Sequence, residues 1–320
     1  SFALPTPYKK GYGSFEGWNG DRPAIEEADI NKNYFALFDY TLTDDDVVVV
    51  DGVIQSCSYD FFARNISIPK ILDGQKVLGI ADKEPGIFEG KFLHKINLPQ
   101  TLTHIGNNAF ASNNISNVVL YDGLIHLGEN AFFSNKIMTL NIPKKLVHIS
   151  AGAFAYNHLD KLIIPNTVTS IGARAFAGNL IDQLTLSNHL KNIPNHGFAK
   201  NRLEEVILPD SLITIGEAAF SRNRLAHITL PKKLKNIGAE AFLLNSIDTL
   251  IIPNKVSDIG EDAEVVVEYV NEIRALKSGK RKISVNSLPN KMKMLKPVCL
   301  NQVNKKVNQS QTLNYVIMKT

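Results

Sequence analysis

Three histidines, His104, His126 and His148, stand 22 residues apart. If successive 22-residue units stack at the ~4.8 Å spacing of paired strands, their imidazoles align on consecutive layers. They could then share a zinc ion, which takes histidine nitrogen at about 2.0–2.1 Å. The column stops at Ser170, and it contains neither a carboxylate nor a cysteine. A closed zinc site takes about four ligands. The simpler reading is three exposed side chains beside inward-facing Ile105, Leu127 and Ile149, and no metal is expected. Asp44, Asp45 and Asp46 invite a calcium reading, but calcium takes about six to eight oxygens from spaced ligands. Three consecutive carboxylates read instead as a solvated turn. Cys57 and Cys299 flank the repeats. In a rod they lie too far apart for a disulfide, whose Cα atoms sit within about 7 Å. No nucleotide-binding glycine loop, G-x-S-x-G or H-E-x-x-H occurs. An enzyme would need one special site interrupting the repeats, and the array is irregular only at its ends. A non-catalytic chain without a cofactor is expected.

The histidines owe their spacing to a repeat. Phe110, Phe132, Phe154, Phe176, Phe198, Phe220 and Phe242 are each 22 apart, and an Asn follows each by three residues, from Asn113 to Asn245. The phrase reads L-x-x-I-G-x-x-A-F-x-x-N-x-[IL]-x-x-[LV]-x-[LI]-P. A fixed period of this length means stacked coils. Within each coil L-x-x-L-x-L, as at Ile115, Val118 and Leu120, is a strand signature with those side chains inward. Pro then ends the strand because it cannot donate to a ladder. Leu124, Leu127, Ala131 and Phe132 close the other wall. Gly128 and its equivalents Gly106, Gly172, Gly216, Gly238 and Gly260 are expected to supply a positive φ at a corner; Ser150 and Pro194 replace them twice. The Asn column should bond backbone groups that the corner leaves free. The expected fold is a leucine-rich-repeat solenoid with mostly short strands and turns, of about nine coils with end caps. Its seven regular coils span roughly 34 Å.

The flanks differ from the array. Residues 1–60 read as an extended leader followed by a hairpin cap over 34–54, with FALFDYTLT pairing VVVVDGVI across the DDD turn. Tyr8, Tyr12, Phe15 and Trp18 in the leader could stack on a sugar ring, but packing on the first coil is the simpler role. The solenoid occupies 61–264, with Asp73-Gly74 turning inside its irregular first repeat. At 264 the repeat's Phe becomes Glu264. Residues 265–279 carry Val266, Val267, Val270, Ile273 and Leu276 at helical spacing, as a C-terminal cap would. Residues 280–320 form a basic tail. Residues 1–60 hold 4 basic and 11 acidic side chains, 277–320 hold 10 basic and none acidic, and the remainder holds 21 and 20. A neutral body argues against a nucleic-acid groove. No apolar run reaches the ~20 residues of a membrane span. The chain begins with Ser, as a trimmed product would, so the missing signal sequence says little about compartment.

One surface column is informative. The outward strand position reads Asn97, Val119, Asn141, Ile163, Thr185, Ile207, Thr229, Ile251, alternating polar with β-branched apolar. Val119 to Ile251 form a candidate contact strip for a protein partner, although β-branched residues also simply suit strands. Asn117, Thr139, Lys161, Gln183, Glu205, His227 and Thr249 flank it as a mixed rim.

The phrase IPxxLxxIGxxAFxxNxLxxLxLP resembles the BspA-like leucine-rich repeats of bacterial surface proteins over about 65–265. The opening ISIPKILDGQKVLGI is similar to that family's first repeat. Many members carry Cys where this chain has its Asn column. The resemblance implies a right-handed curved solenoid, secretion or surface display, adhesion to host proteins or other cells, and no catalytic residues. A monomer binding a host or cell-surface protein is therefore expected. The alternative is a structural spacer whose binding lies in the basic tail or a neighbouring domain.

Overall fold

The computed structural model describes residues 15–18, 36–247, 249–260 and 314–316. It is a β-solenoid of about ten coils. The 3-10 turn Asp44–Asp46 is the only helical segment among the described residues. Each coil has three walls. A strand wall carries Lys95–Asn97, Lys161–Ile163, Gln183–Thr185, His227–Thr229 and Thr249–Ile251. A second wall carries two-residue strands such as His104–Ile105 and His126–Leu127. The third wall is the corner between that second strand and the conserved-period Asn.

Alternation explains the core. Ile115, Val118 and Leu120 are buried, as are Leu124 and Leu127. Phe88, Phe110, Phe132, Phe154, Phe176, Phe198, Phe220 and Phe242 have no exposed surface. Their rings stack in one column with centroids 5.2 to 5.9 Å apart. Burying a side chain of this size contributes about 1.5–3 kcal/mol, and each ring is covered only by the coils above and below. The column continues into the N-terminal cap, where Phe61 meets Phe88 edge-on at 6.1 Å and Tyr59 stacks on Tyr40 at 4.3 Å.

The corner is hydrogen-bonded from coil to coil without interruption. The amides of Asn108, Phe110 and Ser112 donate to the carbonyls of Glu129, Ala131 and Phe133, and the same trio recurs up to Ala218, Phe220 and Arg222. The intervening amides of Ala109 and Ala111 close local turns on Gly106 and Asn108. Residues 108 and 112 reach this geometry through left-handed backbone, at φ 54° and 57°.

The Asn column, buried from Asn113 to Asn223, completes the corner as its sequence position implies. Asn135 Oδ1 accepts from the Ile115 amide at 3.0 Å. Its Nδ2 donates to the Phe110 carbonyl of the preceding coil at 2.8 Å and to the Phe132 carbonyl of its own at 3.3 Å. Phe110 O also accepts from Asn113. Each Phe carbonyl from 110 to 220 is thus shared by two successive Asn amides, giving a continuous chain along the stack.

The corner glycines serve a different purpose from the one expected. Positive φ falls on Asn108, Ser112 and their equivalents, not on Gly106 or Gly128. Those glycines allow close approach instead. A Cβ on Gly128 would lie 2.4 Å from the Asn107 nitrogen and the Gly106 carbonyl carbon. Gly172, Gly216, Gly238 and Gly260 are equally crowded by the preceding coil. The second wall interrupts where this glycine is replaced. Its sheets end between His126–Leu127 and His148–Ile149, just before Ser150, and between Ser170–Ile171 and Asn192–Ile193, just before Pro194. A side chain at this position needs the space that strand pairing would close, and Pro also lacks the amide that Gly128 donates to Ile105.

The N-terminal hairpin differs from its expected form. Val47–Val50 pairs antiparallel with Val53–Cys57. Its turn is Asp51-Gly52, at φ 51° and 75°, the Asp-Gly signal of a tight hairpin. Ala36–Thr41 instead runs parallel to Asn65–Ser67 as a coil in its own right, which explains about ten coils rather than nine. The expected Asp73-Gly74 turn is present, joining Ile71–Leu72 to Gln75–Lys76. Three ladder ends finish on an antiparallel strand: Phe15–Trp18 on Ala36–Thr41, Val47–Val50 on Val53–Cys57, and Asn314–Val316 on Thr249–Ile251. This protects edges that would otherwise template pairing with another chain. The expected helix at 265–279 and most of the basic tail lie outside the described residues.

Four substitutions test the roles of the Asn column and the corner glycines. Asn157→Ala orphans the buried Ile137 amide and should cost about 1–3 kcal/mol in chemical denaturation. Asn157→Asp, which keeps the acceptor but faces two carbonyls, should be no less destabilising at neutral pH and should partly recover as the carboxyl protonates. Gly128→Ala should cost about 1–3 kcal/mol through overpacking. On the same coil Gly123→Ala, where the nearest atom lies 3.5 Å away, should change stability by less than about 0.5 kcal/mol.

Candidate interaction surface

The histidine column does not gather into a site. His104 and His126 are in register, with ring centroids 5.8 Å apart. The His148 strand pairs with that of Ser170 rather than that of His126. His148 Nδ1 lies 2.7 Å from Ser170 Oγ, and His104 Nδ1 lies 2.8 Å from Thr103 Oγ1. Among the described residues, no three His, Cys, Asp or Glu side chains are grouped to hold a metal ion. The Asp44–Asp46 carboxylates serve the turn. Asp46 Oδ2 accepts from the Tyr40 hydroxyl and from the Thr43 amide and hydroxyl. Asp44 Oδ1 accepts from the Asp73 amide. Burial pushes the Cys57 thiol up to about 11, so it stays protonated at neutral pH. Cys299, Tyr8 and Tyr12 lie outside the described residues, and Phe15 and Trp18 fall on the first strand.

The strand wall carries the sequence-derived strip. Val119, Asn141, Ile163, Thr185, Ile207 and Thr229 are all exposed, and Ile251 occupies the same register position beside Thr229. Ladder pairing along this wall is patchy. Lys161–Ile163 pairs with Gln183–Thr185, and His227–Thr229 pairs with Thr249–Ile251. The segment 205–207 between them belongs to no strand. Ala226 donates to the Glu204 carbonyl at 3.3 Å.

A cleft of about 720 Å³ lies along 205–210 and 227–233. Val206, Ile207 and Leu208 line one side, Ile228 and Leu230 the other. Ile207 is 87% exposed, against 55% for Val119 and 53% for Ile163. Glu205 and Asp210 place acid on one wall, whereas His227, Lys232 and Lys233 place base on the opposite wall. Among the described residues, no backbone hydrogen bond joins 206–209 to 228–231. An extended segment entering here would find main-chain groups on both sides, an apolar floor and opposed charges. The strip was visible as a sequence column. The cleft was not, because the repeat alone makes this pair of coils equivalent to all others.

Among the described residues, no helix is long and apolar enough to cross a membrane. No curated protein sequence matches the chain. The chain is similar in fold to a leucine-rich repeat protein from Bacteroides ovatus ATCC 8483, at 20% identity and a TM-score of 0.52, over 76% of this chain and 59% of that one. It thus spans less than two thirds of that protein's length. The pneumococcal vaccine antigen PcpA aligns at 20% identity and a TM-score of 0.49, over 71% of this chain and 73% of that one. The model of the BspA type leucine rich repeat region matches residues 84–202, 147–268 and 191–308. With the Phe-x-x-Asn corner in every regular coil, the chain belongs to the BspA-type leucine-rich-repeat family.

Proposed function

We propose that this chain is a non-catalytic protein-binding module, secreted or displayed at a cell surface, acting as an adhesin toward a host or cell-surface protein. Membership in a repeat family whose members present stacked surfaces supports an interaction role. The observation that carries the site is the cleft beside Ile207, the most exposed large apolar side chain among the described residues. The partner contributes an extended segment that adds main-chain bonds along 205–208 and 227–230, the mode in which strand addition supplies affinity and alternate side chains supply specificity. Ile207 and Ile163 act as apolar anchors. Val119, Asn141, Thr185, Thr229 and Ile251 extend the same face.

The test is a binding screen of the purified chain against plasma and extracellular-matrix proteins at low and high salt. A protein bound through the apolar strip resists salt, because screening weakens exposed charge pairs most. For such a partner, Ile207→Glu should weaken binding by about ten- to a hundredfold, as expected for losing an apolar anchor of about 1.5–3 kcal/mol. Its melting temperature should stay within error of the parent. Unchanged affinity in Ile207→Glu and Ile163→Lys would remove the strip from the binding site. Loss of binding on deleting 280–320, with the fold intact, would transfer the activity to the tail and leave the solenoid as a spacer.

A further inference from the structure

A second surface lies on the corner wall, away from the cleft. Counting from each repeat Phe, positions +2 and +4 hold Lys200 and Arg202 on one coil and Arg222 and Arg224 on the next. All four are exposed. The Lys200 amide donates to the Ser221 carbonyl at 2.8 Å, and the Arg224 amide to the Leu203 carbonyl at 2.9 Å. These bonds fix the two pairs side by side, one above the other, with their coils 5.7 Å apart at the Phe column. Among the described residues none of the four forms an ion pair. Glu204 is the nearest acid along the chain; in the next coil its position is Ala226. The acidic column Asp160, Asp182, Glu204 therefore ends where the basic pairs stack.

The basic cluster continues into an aromatic platform. Tyr156 holds Lys200's position two coils earlier, and between them stands Gly178. The Tyr156 ring lies across this glycine, where a Cβ would meet it at 2.6 Å. Phe133 braces the ring edge-on at 5.5 Å, and the Lys200 ammonium sits 5.9 Å from its centroid. The ring remains 44% exposed. The ridge thus presents a half-exposed aromatic face, then Lys200 and Arg222 in the same column, with Arg202 and Arg224 in the column beside it.

We propose that this ridge binds an anionic polysaccharide, a chain bearing sulfate or carboxylate groups. One sugar ring stacks on Tyr156, and the acidic groups of the following sugars engage Lys200, Arg202, Arg222 and Arg224. Guanidinium matches the planar, paired oxygens of sulfate and carboxylate, and tyrosine offers an apolar face with a polar tip. A nucleic acid fits less well. It needs successive stacking platforms along a basic groove, and here one platform adjoins a basic patch two coils wide on a neutral body.

The experiment measures binding of the full chain to a heparin oligosaccharide, to the same oligosaccharide desulfated, to neutral dextran and to single-stranded DNA of matched charge. Arg202→Ala/Arg224→Ala should weaken heparin binding by about tenfold, with a shallower salt dependence. Tyr156→Ala should weaken heparin binding severalfold, leave the salt dependence unchanged and leave DNA binding unaffected. The ten basic residues of 277–320 contribute equally to parent and variants, so the ridge is read from their difference. Thermal melts confirm that these exposed substitutions leave the fold intact. Equal heparin affinity in parent and double variant would overturn the proposal. So would tighter binding of DNA than of heparin, or a Tyr156→Ala effect of the same size on both.

Discussion

Every Phe carbonyl in the regular coils faces inward at a corner from which water is excluded. A buried carbonyl has two lone pairs to satisfy, and a buried amide left without a partner costs about 1–3 kcal/mol. One primary amide per coil resolves this. Its oxygen takes the stranded amide of the preceding coil, and its nitrogen bridges the Phe carbonyls of both coils. Serine lacks the reach and the second donor, and Asp lacks the donors altogether. The Phe-x-x-Asn phrase is therefore a joint between coils, and it explains why these two positions repeat without exception while others drift.

A corner fastened in this way relieves the two strand walls of the duty of holding the stack. They are interrupted repeatedly. Ser150 and Pro194 break the second wall, and the strand wall is unpaired at 205–207. The corner bonds run past all three places. Stability in such arrays is a sum over neighbouring interfaces, so a local opening costs part of one interface and leaves the others intact. Surface positions on the open walls are then free to carry an exposed apolar side chain such as Ile207 without loss of fold. A chain with a fixed corner and interrupted walls can present different surfaces on one frame.

The period, the inward positions and the role of the Asn column were legible because burial and hydrogen-bond demand recur at the same residue in every coil. The glycine corner was misread because close approach and positive φ both select Gly. Sequence shows the residue and not which demand selected it. The corner positions that do adopt positive φ hold Asn, Ser, Tyr, Arg, His, Lys, Ala, Glu and Leu as well as Gly152 and Gly178 and so carry no common signal. The cap was misread because FALFDYTLT alternates like a hairpin arm, whereas it pairs in parallel with a segment some 25 residues on. Asp51-Gly52 was the stronger local sign. The strip was readable as a column, but the cleft was not, because the repeat gives this pair of coils the same pattern as every other pair. The basic ridge is legible in the sequence at positions +2 and +4 after Phe198 and Phe220, where Lys200, Arg202, Arg222 and Arg224 stand.

The most direct test of the joint is native-state hydrogen exchange, read amide by amide. The account predicts that the corner amides of Phe132 and Phe154, and those of Ile137 and Leu159 that donate to Asn side chains, exchange only with global unfolding. The amides of Val206–Leu208 should exchange by local opening, at rates orders of magnitude faster. The paired strand Lys161–Ile163 should fall between them. If that strand outlasts the corner, or if Val206–Leu208 are protected as well as Phe154, then the ladders hold the stack and the central claim is wrong.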